Sequence, residues 1–220
     1  PSLRTRQPYL SPAATTYSVV TSPSPPPPSP LPPFPPPLPT RPPSPPPPPH
    51  PPPAPAHLAP GTRRIYNTPE LVAATGDTAA NFIEISAGVY ELSATIEIRR
   101  NVTLRAVAVG KVVLDGQGSV RVLDVKGPIH ARLEGLTITN GMCLDCDGGG
   151  IRVRGGARMD IASQSTISGN TADNHGGGVF ATSSSSITVS GQSSISGNTA
   201  RGGGGVFAES SSVTVTGQST

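Results

Sequence analysis

The chain has 220 residues, of which 29 are proline and 25 are glycine, and its formal net charge is +3. The positive charge is confined to residues 1–64, which carry five arginines and no acidic residue, whereas residues 65–220 carry a net charge of −2. The chain also has no tryptophan, so it lacks both the basic surface and the stacking aromatics that favour nucleic-acid binding. No run approaches the roughly 18 apolar residues of a membrane span.

Composition divides the chain into two domains. Residues 1–62 hold 27 of the 29 prolines, and runs such as Ser24–Pro28 can neither donate ladder hydrogen bonds nor bury apolar surface. We predict that residues 1–62 form a disordered polyproline II stalk or linker and that residues 63–220 fold separately. Because the chain stops at Thr220, partway through a repeat, we expect the folded domain to be truncated at its C-terminal end.

The folded region opens with a helix signal and continues with short apolar pairs. Thr68-Pro69-Glu70 predicts a helix with Thr68 as its N-cap and proline in the first turn, and we expect this helix to cover the first coil of the domain. Aliphatic residues then recur at positions i and i+2, which is the spacing of one face of a β-strand. The pairs are Ile83/Ile85, Ile96/Ile98, Val102/Leu104, Val112/Leu114, Leu123/Val125 and Leu136/Ile138.

A repeat of nearly fixed length follows. Glycine runs that precede an aliphatic residue begin at Gly148, Gly176 and Gly203, at steps of 28 and 27 residues. Apolar pairs recur in phase with these runs: Met159/Ile161, Ile187/Val189 and Val213/Val215. A period of this length with three short strands per repeat indicates a solenoid. We therefore predict an all-β fold, a right-handed parallel β-helix, because parallel crossovers are overwhelmingly right-handed.

Asparagine follows the third strand of each repeat. Asn140, Asn170 and Asn198 come shortly after an isoleucine-containing strand. Asparagine tolerates left-handed backbone angles, and stacked amides can bond to one another along an axis. We predict that these three residues form a structural asparagine ladder.

The glycine run combined with Ser-Gly-Asn resembles the repeat of the chlamydial polymorphic outer membrane proteins. That repeat pairs a Gly-Gly-Ala-Ile type of run with a Phe-x-x-Asn motif, and here Ile167–Asn170 and Ile195–Asn198 carry isoleucine in place of phenylalanine. The resemblance covers residues 136–220. It implies surface display and adhesion.

Two further resemblances concern the rest of the chain. Ile83–Leu92, Thr103–Arg105 and Val113–Gly116 are similar to the pectin-lyase-like β-helix group, which implies polysaccharide binding or cleavage. Ser24–Pro28 and Ser44–Pro49 resemble the proline-rich segments of extensin and pherophorin wall glycoproteins. This second likeness implies an extracellular matrix or cell-wall setting.

Two candidate sites for covalent modification stand out. Cys143-Leu144-Asp145-Cys146 lies in the longest variable turn, and we expect a local disulfide there. Free thiols, or a metal or redox role, remain the alternatives, although a redox pair normally opens a helix and zinc needs two more ligands. Asn101-Val102-Thr103 is the one sequon of the sequence and makes Asn101 a candidate glycosylation site.

Catalysis and binding call for different outward-facing residues. The outward carboxylates are Glu84, Glu97, Asp124 and Asp160. We expect no two of them to align at one coil step on the same strand, and therefore no glycosidase pair. A lyase would need clustered acids for calcium and a basic residue such as Arg121 or Arg152.

The first strand of each repeat offers a candidate binding surface. Arg152, Phe180 and Phe207 are in phase on its outward side, where they would form a cationic and aromatic binding stripe for a sugar face or a protein. The alternative is that a loop or a further coil covers the two phenylalanines.

From these observations we expect a secreted, cell-surface or cell-wall β-helix scaffold for adhesion, glycan binding or matrix structure. It would act without catalysis or a cofactor, and its partners would be cell-wall or matrix polysaccharides or a surface protein. The alternative is a polysaccharide lyase or glycoside hydrolase of the pectin-lyase-like group.

Overall fold

The computed structural model describes residues 58–220, so the predicted stalk lies almost entirely outside the described residues. The described part contains one helix and nineteen strands. In chain order these are β1 Thr62–Ile65, α1 Thr68–Gly76, β2 Phe82–Ile85, β3 Gly88–Glu91, β4 Ile96–Ile98, β5 Val102–Ala106, β6 Val112–Asp115, β7 Leu123–Lys126, β8 His130–Glu134, β9 Leu136–Thr139, β10 Met142–Cys143, β11 Ile151–Arg154, β12 Arg158–Ala162, β13 Thr166–Ser168, β14 Thr171–Ala172, β15 Val179–Ala181, β16 Ser186–Val189, β17 Ser194–Ser196, β18 Val206–Ala208 and β19 Ser212–Val215.

The strands form three long sheets and one short one. The first sheet has the order β1-β2-β5-β8-β12-β16-β19, the second β3-β6-β9-β13-β17, and the third β4-β7-β11-β15-β18. A two-stranded sheet, β10-β14, lies at the turn between the second and third sheets. Because successive strands along the chain belong to successive sheets, each pass through the three sheets completes one coil of a solenoid.

Equivalent residues of successive coils lie directly opposite one another. Ile161 is paired with Val189, and Val189 is paired with Val215, in parallel register. The pairs in all three long sheets are parallel in the same way. The prediction of a parallel β-helix is therefore confirmed.

The apolar pairs predicted from the sequence fill the interior. All twelve residues of the six upstream pairs are buried, and the stacked row Ile83, Leu104, Leu133, Ile161 runs through the middle of the first sheet. Each coil adds only a few such side chains, so burial becomes sufficient only when neighbouring coils are stacked. The core is thus continuous along the solenoid.

The predicted helix is present, although its N-cap is Asn67 and not Thr68. The side-chain oxygen of Asn67 accepts from the backbone N–H of Glu70 at 2.9 Å, because it stands three residues before that donor, as a cap requires. Leu71 of the helix is buried in the core. At the other end, the Ala74 carbonyl accepts from the backbone N–H of Asp77 at 3.2 Å and from the guanidinium of Arg100 at 2.9 Å.

The glycine runs occur where two coils touch backbone to backbone. A Cβ atom added at Gly178 would lie 2.6 Å from the Gly205 carbonyl oxygen and 2.7 Å from the side-chain nitrogen of Asn198. One added at Gly150 would lie 3.0 Å from the Asn170 side chain. Glycine is therefore required because the asparagine side chain occupies the space beside it.

The Asn170 side chain is fully buried and joins three coils. Its Oδ1 atom accepts from the Gly141 N–H at 2.8 Å, and its Nδ2 atom donates to the Ile138 carbonyl at 3.1 Å and to Asn198 Oδ1 at 2.9 Å. Asn198 Nδ2 continues the ladder to the Ile167 carbonyl at 2.9 Å. These amides satisfy backbone groups that the corner of the coil would otherwise leave without partners.

Asn140 does not belong to this ladder. The parallel register places Ile167 opposite Ile138, so Gly141 and not Asn140 lies opposite Asn170. Asn140 instead has a left-handed backbone with φ of 51° and is exposed. Its position matches that of Gly169, which also has positive φ, and its amide donates to Asp115 at 3.0 Å.

We expect Asn170→Ala to lower the free energy of unfolding by about 3 kcal/mol, because it leaves buried backbone groups of two coils without partners. Asn140→Gly is the matched control: it removes an exposed amide and keeps the left-handed backbone, so its cost should stay below about 1 kcal/mol. Guanidinium unfolding of the three proteins measures both values. Equal losses would show that the ladder does not stabilise the corner.

Candidate binding surface

Arg152, Phe180 and Phe207 lie in register on the outward side of the third sheet. The two phenyl rings are stacked, with centroids 5.9 Å apart and planes inclined by 9°. The His175 ring lies 4.4 Å from that of Phe207. Phe180 is only 6% exposed, so Phe207 and the edge of His175 are the accessible part of this aromatic stack.

The arginine of the stripe is engaged in an ion pair and does not face outward freely. Arg152 Nη2 donates to Asp124 Oδ2 at 2.7 Å, and Arg154 Nη2 donates to the same oxygen at 2.7 Å. Burial alone would raise the pKa of Asp124, but the hydrogen bonds from Arg154 and Arg152 outweigh it and hold that pKa well below its usual range. The side chains of Asp124, Arg152 and Arg154 therefore form a charge cluster in which both arginines are paired with the one carboxylate.

One expectation about the carboxylates was wrong. Glu97 and Asp124 are direct partners in the pairing of β4 with β7, so two outward carboxylates do align at one coil step. Their surroundings differ: Asp124 is buried between two arginines, whereas Glu97 forms an exposed pair with Arg99 at 2.6 Å. A carboxyl whose pKa is lowered remains ionised and cannot serve as the general acid of a glycosidase.

Asp124 should make the stability of the protein depend on pH. A carboxyl whose pKa is depressed by folding contributes stability above its unfolded value of about 3.9, and this contribution is lost as the pH falls further. We expect Asp124→Asn to cost about 3 kcal/mol at pH 7 and progressively less below about pH 4. Unfolding titrations of both proteins at several pH values measure this. Glu97→Gln, which breaks an exposed pair, is the control and should cost less than about 1 kcal/mol at any pH.

A second outward feature is a depression of about 260 Å³ on the first sheet. It is lined by Asn81, Phe82, Asn101, Val102, Thr103, His130 and Arg132. Phe82 is 45% exposed and lies at the start of β2. Its neighbours come from the next two coils, since Phe82 pairs with Thr103 and Thr103 pairs with Arg132.

A buried and a partly buried acid, Asp160 and Glu134, hold the polar walls of this depression in place. Asp160 is 6% exposed, and its Oδ2 atom lies 2.8 Å from His130 Nε2 and 3.4 Å from Arg132 Nη1. Arg132 Nε also donates to Glu134 at 2.6 Å. Two of the four lining side chains that carry nitrogen, His130 and Arg132, are therefore held by carboxylates that do not line the depression.

Asn101, the candidate glycosylation site, forms part of the same depression. Its Oδ1 atom accepts from the backbone N–H of His130 at 2.8 Å, and its side chain is exposed. The acceptor nitrogen of an N-linked glycan is the other atom of this amide. Glycosylation at Asn101 stays a prediction, and a glycan there would cover the depression.

Sequence reasoning missed Phe82, His130 and Arg132 as members of one surface. Phe82 stands about 50 residues before His130 and Arg132 in the chain, and they meet only because β2, β5 and β8 are neighbours in one sheet. The available signal was the alternation of inward and outward residues along a strand, since Phe82 and Arg132 each stand next to a buried strand position and must therefore face outward. It could not be used before the coil lengths in this irregular part were known.

The two cysteines lie at the turn that follows β10. Their sulfur atoms are in bonding contact and their Cα atoms are 5.4 Å apart, which is an ordinary separation for a disulfide. Arg121 approaches both sulfur atoms. Within residues 58–220, no group of three or more His, Cys, Asp or Glu side chains is arranged to hold a metal ion.

A parallel β-helix with a glycine–asparagine corner defines the structural class of this domain. Residues 164–182 match the model of the Chlamydia polymorphic membrane protein repeat. The matched segment includes Asn170 and the run Gly176–Gly178, so the chain carries a repeat of this kind and the predicted resemblance is confirmed. No curated protein and no solved structure gives a significant match. Among the helices of the described residues, none is long and apolar enough to cross a bilayer.

Proposed function

We propose that this chain is a cell-surface or secreted scaffold that binds glycans in adhesion or in wall or matrix structure, without catalysing a reaction. The observation that carries the proposal is the surface-protein repeat built into a β-helix. Each coil of such a fold adds outward side chains at fixed spacing, which produces an extended surface for a long ligand.

The depression around Phe82 is the proposed contact point. An exposed aromatic ring can pack against the apolar face of a sugar, while the amides of Asn81 and Asn101 bond to hydroxyl groups. Arg132 and His130 add donors of positive or neutral charge, and no carboxylate lines the depression. The ligand that we propose is an acidic polysaccharide, since Arg132 Nη2 is not used by Glu134 or Asp160 and can donate to a carboxylate of the ligand.

We expect Phe82→Ala to weaken binding to an immobilised acidic polysaccharide by about tenfold, because the apolar platform is lost. Tyr66→Ala is the matched control, since Tyr66 is 67% exposed and lies outside the depression. Biolayer interferometry with acidic and neutral polysaccharides measures the affinities. Equal weakening in both variants, or equal binding to both polysaccharides, would contradict the proposed site.

A polysaccharide lyase or glycoside hydrolase is the second candidate, and the alignment of Glu97 with Asp124 favours it. Neighbouring strands lie about 4.8 Å apart, which is near the roughly 5 Å between the carboxyl groups of retaining glycosidases. The hydrogen bonds that Arg152 and Arg154 donate to both oxygens of Asp124 oppose it, because they occupy the atoms that a nucleophile would use.

The two candidates predict different outcomes when the purified protein is incubated with pectins and other acidic glycans. The scaffold proposal predicts that no unsaturated or reducing ends are released. Release that disappears in Glu97→Gln would replace it with the enzyme, because this exposed substitution leaves the charge cluster of Asp124 intact.

A further inference from the structure

The two cysteines, one at the end of β10 and one in the turn that follows it, differ in burial. Cys143 is 4% exposed, whereas Cys146 is half-buried and follows Leu144, which is 69% exposed. Both cysteines line a shallow depression of about 270 Å³, together with Thr95, Ser119, Val120, Arg121, Met142 and Leu144. A small thiol or a cysteine of another protein can therefore reach Cys146 from solvent.

A fixed cation contacts both sulfur atoms. Arg121 Nη2 lies 2.9 Å from Cys143 Sγ and 3.4 Å from Cys146 Sγ. The guanidinium is held there by the Gly148 carbonyl, which accepts from Nε at 2.7 Å, and by the Asp147 carbonyl, which accepts from Nη2 at 2.7 Å. Burial lowers the pKa of Arg121 to about 10, which leaves it positively charged at neutral pH.

The acidic side chains around this turn are directed to other partners. Asp147 Oδ1 accepts from the backbone N–H of His175 at 3.1 Å and lies 3.0 Å from His175 Nδ1. Asp173 Oδ2 accepts from the backbone N–H of Asp145 at 2.9 Å. Arg121 is thus the charged group in hydrogen-bond contact with the sulfurs.

We propose that Cys143 and Cys146 form a thiol–disulfide exchange site that joins this surface covalently to a partner bearing a cysteine thiol. The partner's thiolate attacks the Sγ atom of Cys146, the less buried of the two cysteines. The bond between the two cysteines breaks, and its electron pair leaves with Cys143 as a thiolate. A mixed disulfide between Cys146 and the partner remains, and attack by the Cys143 thiolate on Cys146 reverses the step.

Arg121 assists this step by stabilising the leaving thiolate. A nearby cation lowers the pKa of a thiol, and a leaving thiol of lower pKa departs faster. Cys143, the sulfur nearer to the guanidinium, is also the buried one, so it is suited to leave and Cys146 to be attacked. A purely structural disulfide has no need of a charged group placed against its sulfur atoms.

The rate of exchange with 2-mercaptoethanol tests the proposal. The oxidised native protein is treated at fixed neutral pH, quenched with N-ethylmaleimide and analysed by mass spectrometry. We expect Arg121→Gln to slow the exchange by about tenfold, and Arg121→Lys, which keeps the charge, to restore part of the rate. Arg63→Gln is the matched control and should leave the rate unchanged, because Arg63 pairs with Asp77 in the first coil and does not contact the sulfurs.

The direction of the change separates this role from a structural one. If Arg121 only braces the turn, its removal loosens the turn and the exchange becomes faster. An unchanged or faster rate in Arg121→Gln therefore overturns the proposal, as does wild-type protein that cannot be oxidised.

A second measurement needs only the wild-type protein and decides the matter if Arg121→Gln does not fold. After brief exchange with limiting 2-mercaptoethanol, peptide mapping should find the thiol adduct on Cys146 and maleimide on Cys143. The reverse assignment, or no exchange before unfolding, overturns the proposal.

Discussion

The structure depends on hydrogen bonds between coils, which form only while every coil keeps the same path. In a parallel ladder the backbone N–H and C=O groups of one coil form hydrogen bonds with those of the next coil. A misplaced corner would therefore disturb the hydrogen bonds of three sheets at once. The glycine run and the buried asparagine fix this corner together. The Asn170 amide forms hydrogen bonds with backbone groups of the preceding coil. Gly150 has no side chain and so leaves the space that the Asn170 amide occupies. Neither residue could act alone.

This constraint leaves the outward positions free to vary, and their character changes along the solenoid. In the early coils of the first sheet they carry alternating charges that pair across strands, such as Arg64 with Glu84 and Arg105 with Glu84. Later coils present hydroxyl groups: Asp160 is paired with Thr188, and Thr188 with Thr214. The proposed contact point around Phe82 therefore lies where the coil lengths are irregular, because irregular turns bring unlike side chains into register.

The sequence was sufficient for the repeat architecture, because alternation of apolar residues survives any error in coil length. The sequence was insufficient to predict the register between strands, because one residue more or less in a turn shifts that register. Asn140 follows Ile138 by two positions and Asn170 follows Ile167 by three, and this difference removes Asn140 from the ladder. The pairing of Glu97 with Asp124 could have been found by superposing their flanking apolar pairs. The surface around Phe82 could not, since its members come from three coils with different turn lengths.

The exchange site follows from the same corner. Leu123 is paired with Ile151, so the same register places Arg121, two residues earlier, opposite Gly149. A side chain at Gly149 would collide with the Thr171 carbonyl of the next coil, so glycine is required once that close contact exists. In the coil before it, the arginine side chain reaches the longest turn of the domain instead, and its guanidinium is bound there by the Gly148 and Asp147 carbonyls. A position reserved for glycine in the regular repeats thus carries, in one coil, the charge that contacts the two cysteines.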